Sequence, residues 1–472
     1  MSPMQAIVLI LLFAAGYLLL SRIDGRASQA ERIGFAFPVG LALATFLMFV
    51  SDAVCLPLTR QLVIVIAVVL FVVTLVLYLP KAHKPAMSFD LSWFNVLWLA
   101  CFLLVVYIAY ANLVKTLYFP VYDRDSLAGF DTLGFLAARE HTFHSLFIFD
   151  ADYNPSIHGP GSYISYMPML QLSYALVYLF GAETSKIIPA LLWPSFLVGL
   201  YGLARRFFRT SLRLSRGGDT AAVLVLVGMS FAIEMFAFSS LSGTNVPQAI
   251  VASAGMLYVL MWYRNRALTA PLVVGSVLLA ISCFIRLEGF IFSFIAFCVV
   301  LVGVIKDRRS NTRRAWLRPL LPLLSVFPIV LFQIYTKVYD LTAESTIIAH
   351  FYWDGAKAGV IAHYAWGLLA SIYYGFTFYT LLIAVIVSLP LLIRGRGVMT
   401  YLAFIAAMVM YYVVLYQIDY KWDTIENVLN FSAKRFLFCF VPIAWVAALC
   451  QGNLARLLDW VERKCGLQAR GA

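Results

Sequence analysis

The stretch PVYDRDSLAGFD, residues 120–131, places Asp123, Asp125 and Asp131 a few positions after a long apolar run. Two carboxylates spaced like Asp123 and Asp125 can hold a divalent cation. Equally, one can act as a general base while the other orients it. A hydrated acidic loop that keeps the chain out of lipid would have the same composition. A second pair, Asp150 and Asp152, stands in FIFDADYNPSIHGPG, where a Gly/Pro-rich turn can present His158 to an anion or a metal. CFIRLEGF sets Arg286 and Glu288 in a tight turn between two apolar runs. Charges in a membrane are costly and normally face a polar cavity with partners. The two therefore either pair structurally, or Arg286 offers its planar fork to a phosphate. Lys434 and Arg435, in NFSAKRFLFCFVP, precede the last apolar run and either snorkel to headgroups or serve a site. Glu234 and the segment LSGTNVPQ (241–248) belong to the same end of the chain's threading, described next.

The elements that must position these residues are apolar. Of 472 residues, 62% are hydrophobic and 12% charged, against roughly a quarter charged in a soluble protein. Apolar runs near the bilayer-spanning length of about 20 residues recur from end to end. The class is an all-α polytopic membrane protein, and the short alternating strands of a β-barrel are absent. The first run, MQAIVLILLFAAGYLLL, lacks a basic flank and a cleavage site, so it is expected to be a span rather than a signal peptide. The seven cysteines form no CxxC pair and suit core positions. The net charge of +12 sits in short loops, 205–216, 264–266, 306–318, 394–396 and the tail. That distribution marks cytoplasmic loops, not a nucleic-acid surface.

Thirteen spans are expected, near 4–21, 33–50, 61–79, 93–112, 183–204, 219–240, 247–263, 268–286, 288–305, 319–338, 366–392, 397–417 and 435–452. The apolar segment 163–180 is left out, because counting it would put the Arg-rich loop 205–216 outside. It is expected to lie on the outer interface, with Tyr163, Tyr166, Tyr174 and Tyr178 at headgroup level. Three outer segments result, 113–182, 339–365 and 418–434. The organisation is then an N-terminal three-span segment (1–92), a main module (93–452) with the large outer loop, and a cytoplasmic amphipathic tail (453–472). Carboxylates, an imidazole and cations converge at the outer surface. That suits reaction between a lipid-phosphate-linked donor and an outer acceptor.

Taken in order, several motifs give a resemblance. YDRDSLAGF is followed by HGPGSYISYMPMLQLSYALVYLFG, then LARRFF, IRLEG and SAKRF, over roughly residues 93–440. The chain resembles the GT-C superfamily of integral-membrane glycosyltransferases, in the branch of aminoarabinose, protein O-mannosyl and lipopolysaccharide sugar transferases. The resemblance implies a GT-C-like fold and an inverting reaction from a polyprenyl-phosphate sugar to a glycan, lipid or protein acceptor. The membrane implied is the bacterial inner membrane, with the site facing the periplasm. It implies catalysis by Asp125, with Asp123 as rival, and lipid-phosphate contacts from Arg286, Lys434, Arg435 and His158. Glu288, Asp152, Tyr163 and Asn245 would bind substrate, and a divalent cation, if used, would sit on Asp123 and Asp125. The chain departs from the pattern at Gly159, and at Asn245, where the family often has an acid. Two other readings share these features: a transporter or flippase of an anionic lipid, and a ligase or polymerase using lipid-diphosphate glycans. Transporters commonly carry internal repeats and midplane helix breaks, and no repeat is found here.

Overall fold

Local capping starts the first helices. Ser2 accepts from the Gln5 amide before Pro3, a residue suited to a first turn, and α1 runs Pro3–Ile23. Ser28 and Glu31 form a reciprocal capping box for α2 (Gln29–Ala53), and Thr59 caps α3 (Arg60–Tyr78). Asn95 caps α4 (Val96–Tyr118). The computed structural model describes residues 2–81, 95–149, 163, 166–212, 217–307, 313–341, 347–393, 397–420, 424–450, 457 and 460. The cytoplasmic tail expected at 453–472 thus falls almost wholly outside the described residues.

After α4 come α5 (Asp131–Glu140), α6 (Met169–Leu179), α7 (Ile187–Leu212), α8 (Gly217–Ser230), α9 (Ile233–Phe238), α10 (Asn245–Arg264), α11 (Thr269–Ile285) and α12 (Gly289–Lys306). Then follow α13 (Leu320–Leu324), α14 (Phe327–Val338), α15 (Gly355–Leu369), α16 (Thr377–Ile393), α17 (Val398–Tyr416), α18 (Ile425–Val428), α19 (Lys434–Phe436) and α20 (Val441–Leu449). The protein is an all-α polytopic membrane protein. Among the described residues, nine helical segments are long and apolar enough to cross a bilayer, and α13 with α14, bent by 43°, makes a tenth. The expected spans at 268–286 and 366–392 are helices of 17 residues, and that at 219–240 is broken into α8 and α9.

Segment 163–180 departs from expectation in its surroundings. Helix α6 has 11 residues, about 16 Å at the α-helical rise, too short for a core of about 30 Å. Yet Tyr174, expected at headgroup level, is covered by protein. The residues of α6 from Met169 to Val177 are buried in protein, and Tyr174 is 1% exposed. An apolar helix can be covered by lipid or by other helices, and composition does not distinguish the two.

Helices α1 and α2 pack backbone to backbone. A Cβ on Gly40 would lie 1.9 Å from the Leu12 carbonyl oxygen, so no larger residue fits without parting the helices. Gly40→Val is therefore expected to destabilise the purified protein by about 1–3 kcal/mol. A thermal-unfolding midpoint equal to wild type would refute this contact.

The two ends of the bundle are tied differently. At one end Asp52, 1% exposed, accepts from the Phe143 amide (2.9 Å), Thr142 Oγ1 (3.1 Å) and Tyr335 Oη (2.5 Å), and lies 3.0 Å from His144 Nδ1. At the same end strands β1 (Ile347–Ala349) and β2 (Ile418–Tyr420) pair antiparallel, with Ile348 opposite Asp419. Lys357 Nζ bonds Asp419 Oδ1 at 2.6 Å, and that hydrogen bond holds the Asp419 carboxyl below the usual carboxylate range against partial burial. The three segments expected outside thus share one end. At the other end Arg206 Nη1 reaches Asp24 (2.6 Å) and Glu31 (3.1 Å), Arg209 reaches Asp219 (2.8 Å), and Arg266 grips Asp307 through Nε and Nη2 (2.5 and 2.7 Å).

Candidate functional site

The acidic motif enters a wound turn. Residues Ser126–Phe130 form a π-helical turn that runs into α5, and Asp123 Oδ2 accepts from both the Ser126 amide (3.0 Å) and its hydroxyl (2.8 Å). A second π-helical turn, Leu429–Ala433, leads into Lys434 and Arg435. Such turns are rare, recur at functional sites, and shift the phase of a helix so that side chains point in unusual directions. Among the described residues there are two of them, and each presents one half of an ion pair. Arg435 Nη1 bonds Asp125 Oδ2, across most of the chain.

Tyr163 holds the other carboxylate oxygen. Its hydroxyl donates to Asp125 Oδ1 at 3.2 Å. Gly129 makes this possible, because a Cβ there would fall 2.1 Å from the Tyr163 ring. Burial, with the Asp125 charge adding to it, pushes the Tyr163 hydroxyl well above its ordinary value, so it remains a donor at any physiological pH. Tyr163 stacks on Tyr166 (5.7 Å between centroids), and Phe130 meets both edge-on.

The Tyr166 ring then faces a second charged pair, with the Arg286 guanidinium 5.3 Å from its centroid. Arg286 is bound in a fork by Glu288, Nη2 to Oε1 at 2.7 Å and Nε to Oε2 at 3.2 Å. Its Nη1 donates to Asn245 Oδ1 (2.5 Å) and Thr244 Oγ1 (3.3 Å). The sequence left Arg286 either paired or free for phosphate; in this structure it is paired. Asn245 is an Arg286 partner at the start of α10. A third pair lies alongside: Lys434 Nζ bonds Glu234 Oε1 and sits 3.6 Å from the Tyr373 ring centroid.

Asp123 bonds the Ser126 amide and hydroxyl, not the partners of Asp125. Its Oδ1 is buried without a hydrogen-bond partner among the described residues, and Lys186 lies within electrostatic reach of both Asp123 and Asp131. Lys186 is 1% exposed, bonds the Ser240 carbonyl at 3.0 Å and lies 5.3 Å from the Tyr122 ring. Sequence reasoning passed over Lys186. The signal was present: it is a cation at the start of an apolar run, the same anomaly that singled out Lys434 and Arg435. Among the described residues no group of three or more His, Cys, Asp or Glu is arranged around a metal. His158, Asp150 and Asp152 lie outside the described residues.

The arrangement is a carboxylate clamped by a guanidinium and a phenol, flanked by two further ion pairs and a buried lysine. An apolar cleft of about 880 Å³ is lined by Leu113, Leu117, Thr184 and Ile187 among others, so Lys186 lies in the chain between two of its lining residues. No family model, curated protein or solved structure matches this chain, so the site stands on its own geometry.

Proposed function

We propose that the protein is an inverting glycosyltransferase acting at the outer face of the membrane, with a polyprenyl-phosphate sugar as donor. The supporting observation is the Asp125–Arg435 pair, one base and one phosphate-seeking cation in contact at the end of an apolar bundle. In the resting protein Arg435 shields Asp125. An arriving donor phosphate competes for Arg435 and Lys434, which frees the carboxylate. Asp125 then takes the proton of the acceptor hydroxyl, and that oxygen attacks the anomeric carbon from the face opposite the phosphate. The bond from the anomeric carbon to the phosphate oxygen breaks. Its electron pair stays on the polyprenyl phosphate, whose new charge the two cations neutralise. Tyr163 keeps Asp125 oriented throughout.

The cleft has the apolar lining that an isoprenoid chain requires. With α8–α9, α11 and α16 counted as crossings, the chain would have the thirteen spans of the GT-C-like reading. The fold family, the periplasmic orientation and the bacterial inner membrane belong to the same proposal. A divalent cation, if the reaction uses one, would sit on Asp123 and Asp125.

The test is a proteoliposome assay with wild-type protein and two donors, with lipid movement across the bilayer followed alongside. Polyprenyl-phosphate sugars should be consumed with transfer to an acceptor and with inversion at the anomeric carbon. Consumption of diphosphate-linked glycans alone would instead identify a ligase. Movement of the lipid across the bilayer without transfer would identify a flippase.

A further inference from the structure

A cavity of about 690 Å³ opens where α1 gives way to α2, at the end of the bundle opposite Asp125. The 25 residues of α2 span about 37 Å between this cavity and the Asp52 contacts, enough to separate the two membrane surfaces. Arg22, Arg26, Arg32 and Arg206 line it, with Asp24 among them. Arg206 is committed to Asp24 and Glu31. The other three have no carboxylate partner among the described residues. Arg22 Nε donates to the Leu77 carbonyl at 2.8 Å, which leaves its two terminal nitrogens. Arg32 Nη2 donates to the Gly25 carbonyl at 2.8 Å, while its Nε is buried without a hydrogen-bond partner. Arg26 is exposed, and its side chain makes no hydrogen bond or ion pair with the described residues.

The opposite rim is the start of α11. Thr269, Ala270 and Pro271 line the cavity, and no side chain caps this helix. Its first amides and the positive end of its dipole are therefore at the cavity. Four guanidinium groups set against two carboxylates, together with an uncapped helix start, make a site for an anion with several oxygens. Arginine forks match phosphate oxygens two at a time. A few hundred Å³ is the size of a small-ligand site, roomier than one phosphate requires, and Tyr78 and Pro80 add a less polar wall.

We infer that this cavity binds a phosphate group, carried either by the headgroup of an anionic phospholipid or by a free phosphate ion. This site stands apart from the transfer reaction and does not depend on it. The full-length protein, purified in detergent, would be titrated with dioleoyl phosphatidylglycerol, with dioleoyl phosphatidylcholine and with inorganic phosphate. Native mass spectrometry and the thermal-unfolding midpoint would read binding.

Phosphatidylglycerol or phosphate should raise the midpoint and be retained, and phosphatidylcholine should do neither. Retention of the lipid alone identifies a headgroup site; response to phosphate alone identifies a free-ion site. Arg26→Gln, at a side chain with no hydrogen bond or ion pair to the described residues, should keep the unliganded midpoint and weaken binding about tenfold, and Arg22→Gln with Arg26→Gln should weaken it further. Binding of neither anionic probe, equal binding of phosphatidylcholine, or wild-type binding by the double variant would overturn the inference.

Discussion

Asp125→Asn is expected to slow transfer from a polyprenyl-phosphate sugar by a factor of about 10² to 10⁴, the usual worth of a general base. The amide keeps the shape of the carboxylate and can still accept from Tyr163, so the fold should survive. It cannot take the proton of the acceptor hydroxyl, and it releases Arg435 from its ion pair. The loss should therefore appear in the maximal rate, while donor affinity holds or tightens because a cation has been unmasked for the phosphate. Initial rates in proteoliposomes, with monodispersity checked by gel filtration, measure this. Asp123→Asn is the internal comparison. Asp123 ties down Ser126 and lies near Lys186, so its loss should loosen the turn without removing the base. A wild-type rate in Asp125→Asn would end the assignment of the base.

Asp52→Ala is expected to cost about 3–5 kcal/mol of stability, because it leaves several buried donors without their acceptor, at about 1–3 kcal/mol each. Asp52 collects a backbone amide, a hydroxyl, a phenol and an imidazole at one buried point. Alanine leaves Tyr335 and His144 packed in place without that acceptor. Asp52→Asn keeps one carbonyl oxygen and should lose less. The unfolding midpoints of the two variants test the ranking; midpoints equal to wild type in both would mean that the contacts at Asp52 add nothing. The effect should spread to residues 141–144, which hang from this carboxylate and lead out of α5.

Much of this was readable from residue types. A chain so poor in charge exposes each charge at the edge of an apolar run as an exception, and Arg435, Lys434, Arg286 and Glu288 stand out that way. Their pairing with Asp125, Glu234 and each other follows from the cost of leaving charges alone in an apolar bundle. Other features were not legible. Asp52 sits at the end of an apolar run and looks like a residue that ends a span; its partners come from two distant segments, and no local pattern announces them. The Tyr residues of 163–178 suited a headgroup layer by type, yet Tyr174 is core and Tyr163 and Tyr166 form a wall between two ion pairs. Hydropathy reports that a face avoids water. It does not report whether lipid or protein covers it. The breaks in α8–α9 and α13–α14 escaped for a related reason, since a bend in a uniformly apolar stretch leaves hydropathy unchanged.

The partners Asp125 and Arg435 are 310 positions apart along the polypeptide. Asp125 is made well before Arg435, which comes just ahead of α20. A chain released before that point would hold every feature of the acidic loop yet lack the cation that faces it. Fragments ending before residue 434 should therefore be inert, whereas two coexpressed halves divided in an exposed loop on the far side could regain what neither has alone. Synthesis past residue 435 is what brings the pair into being.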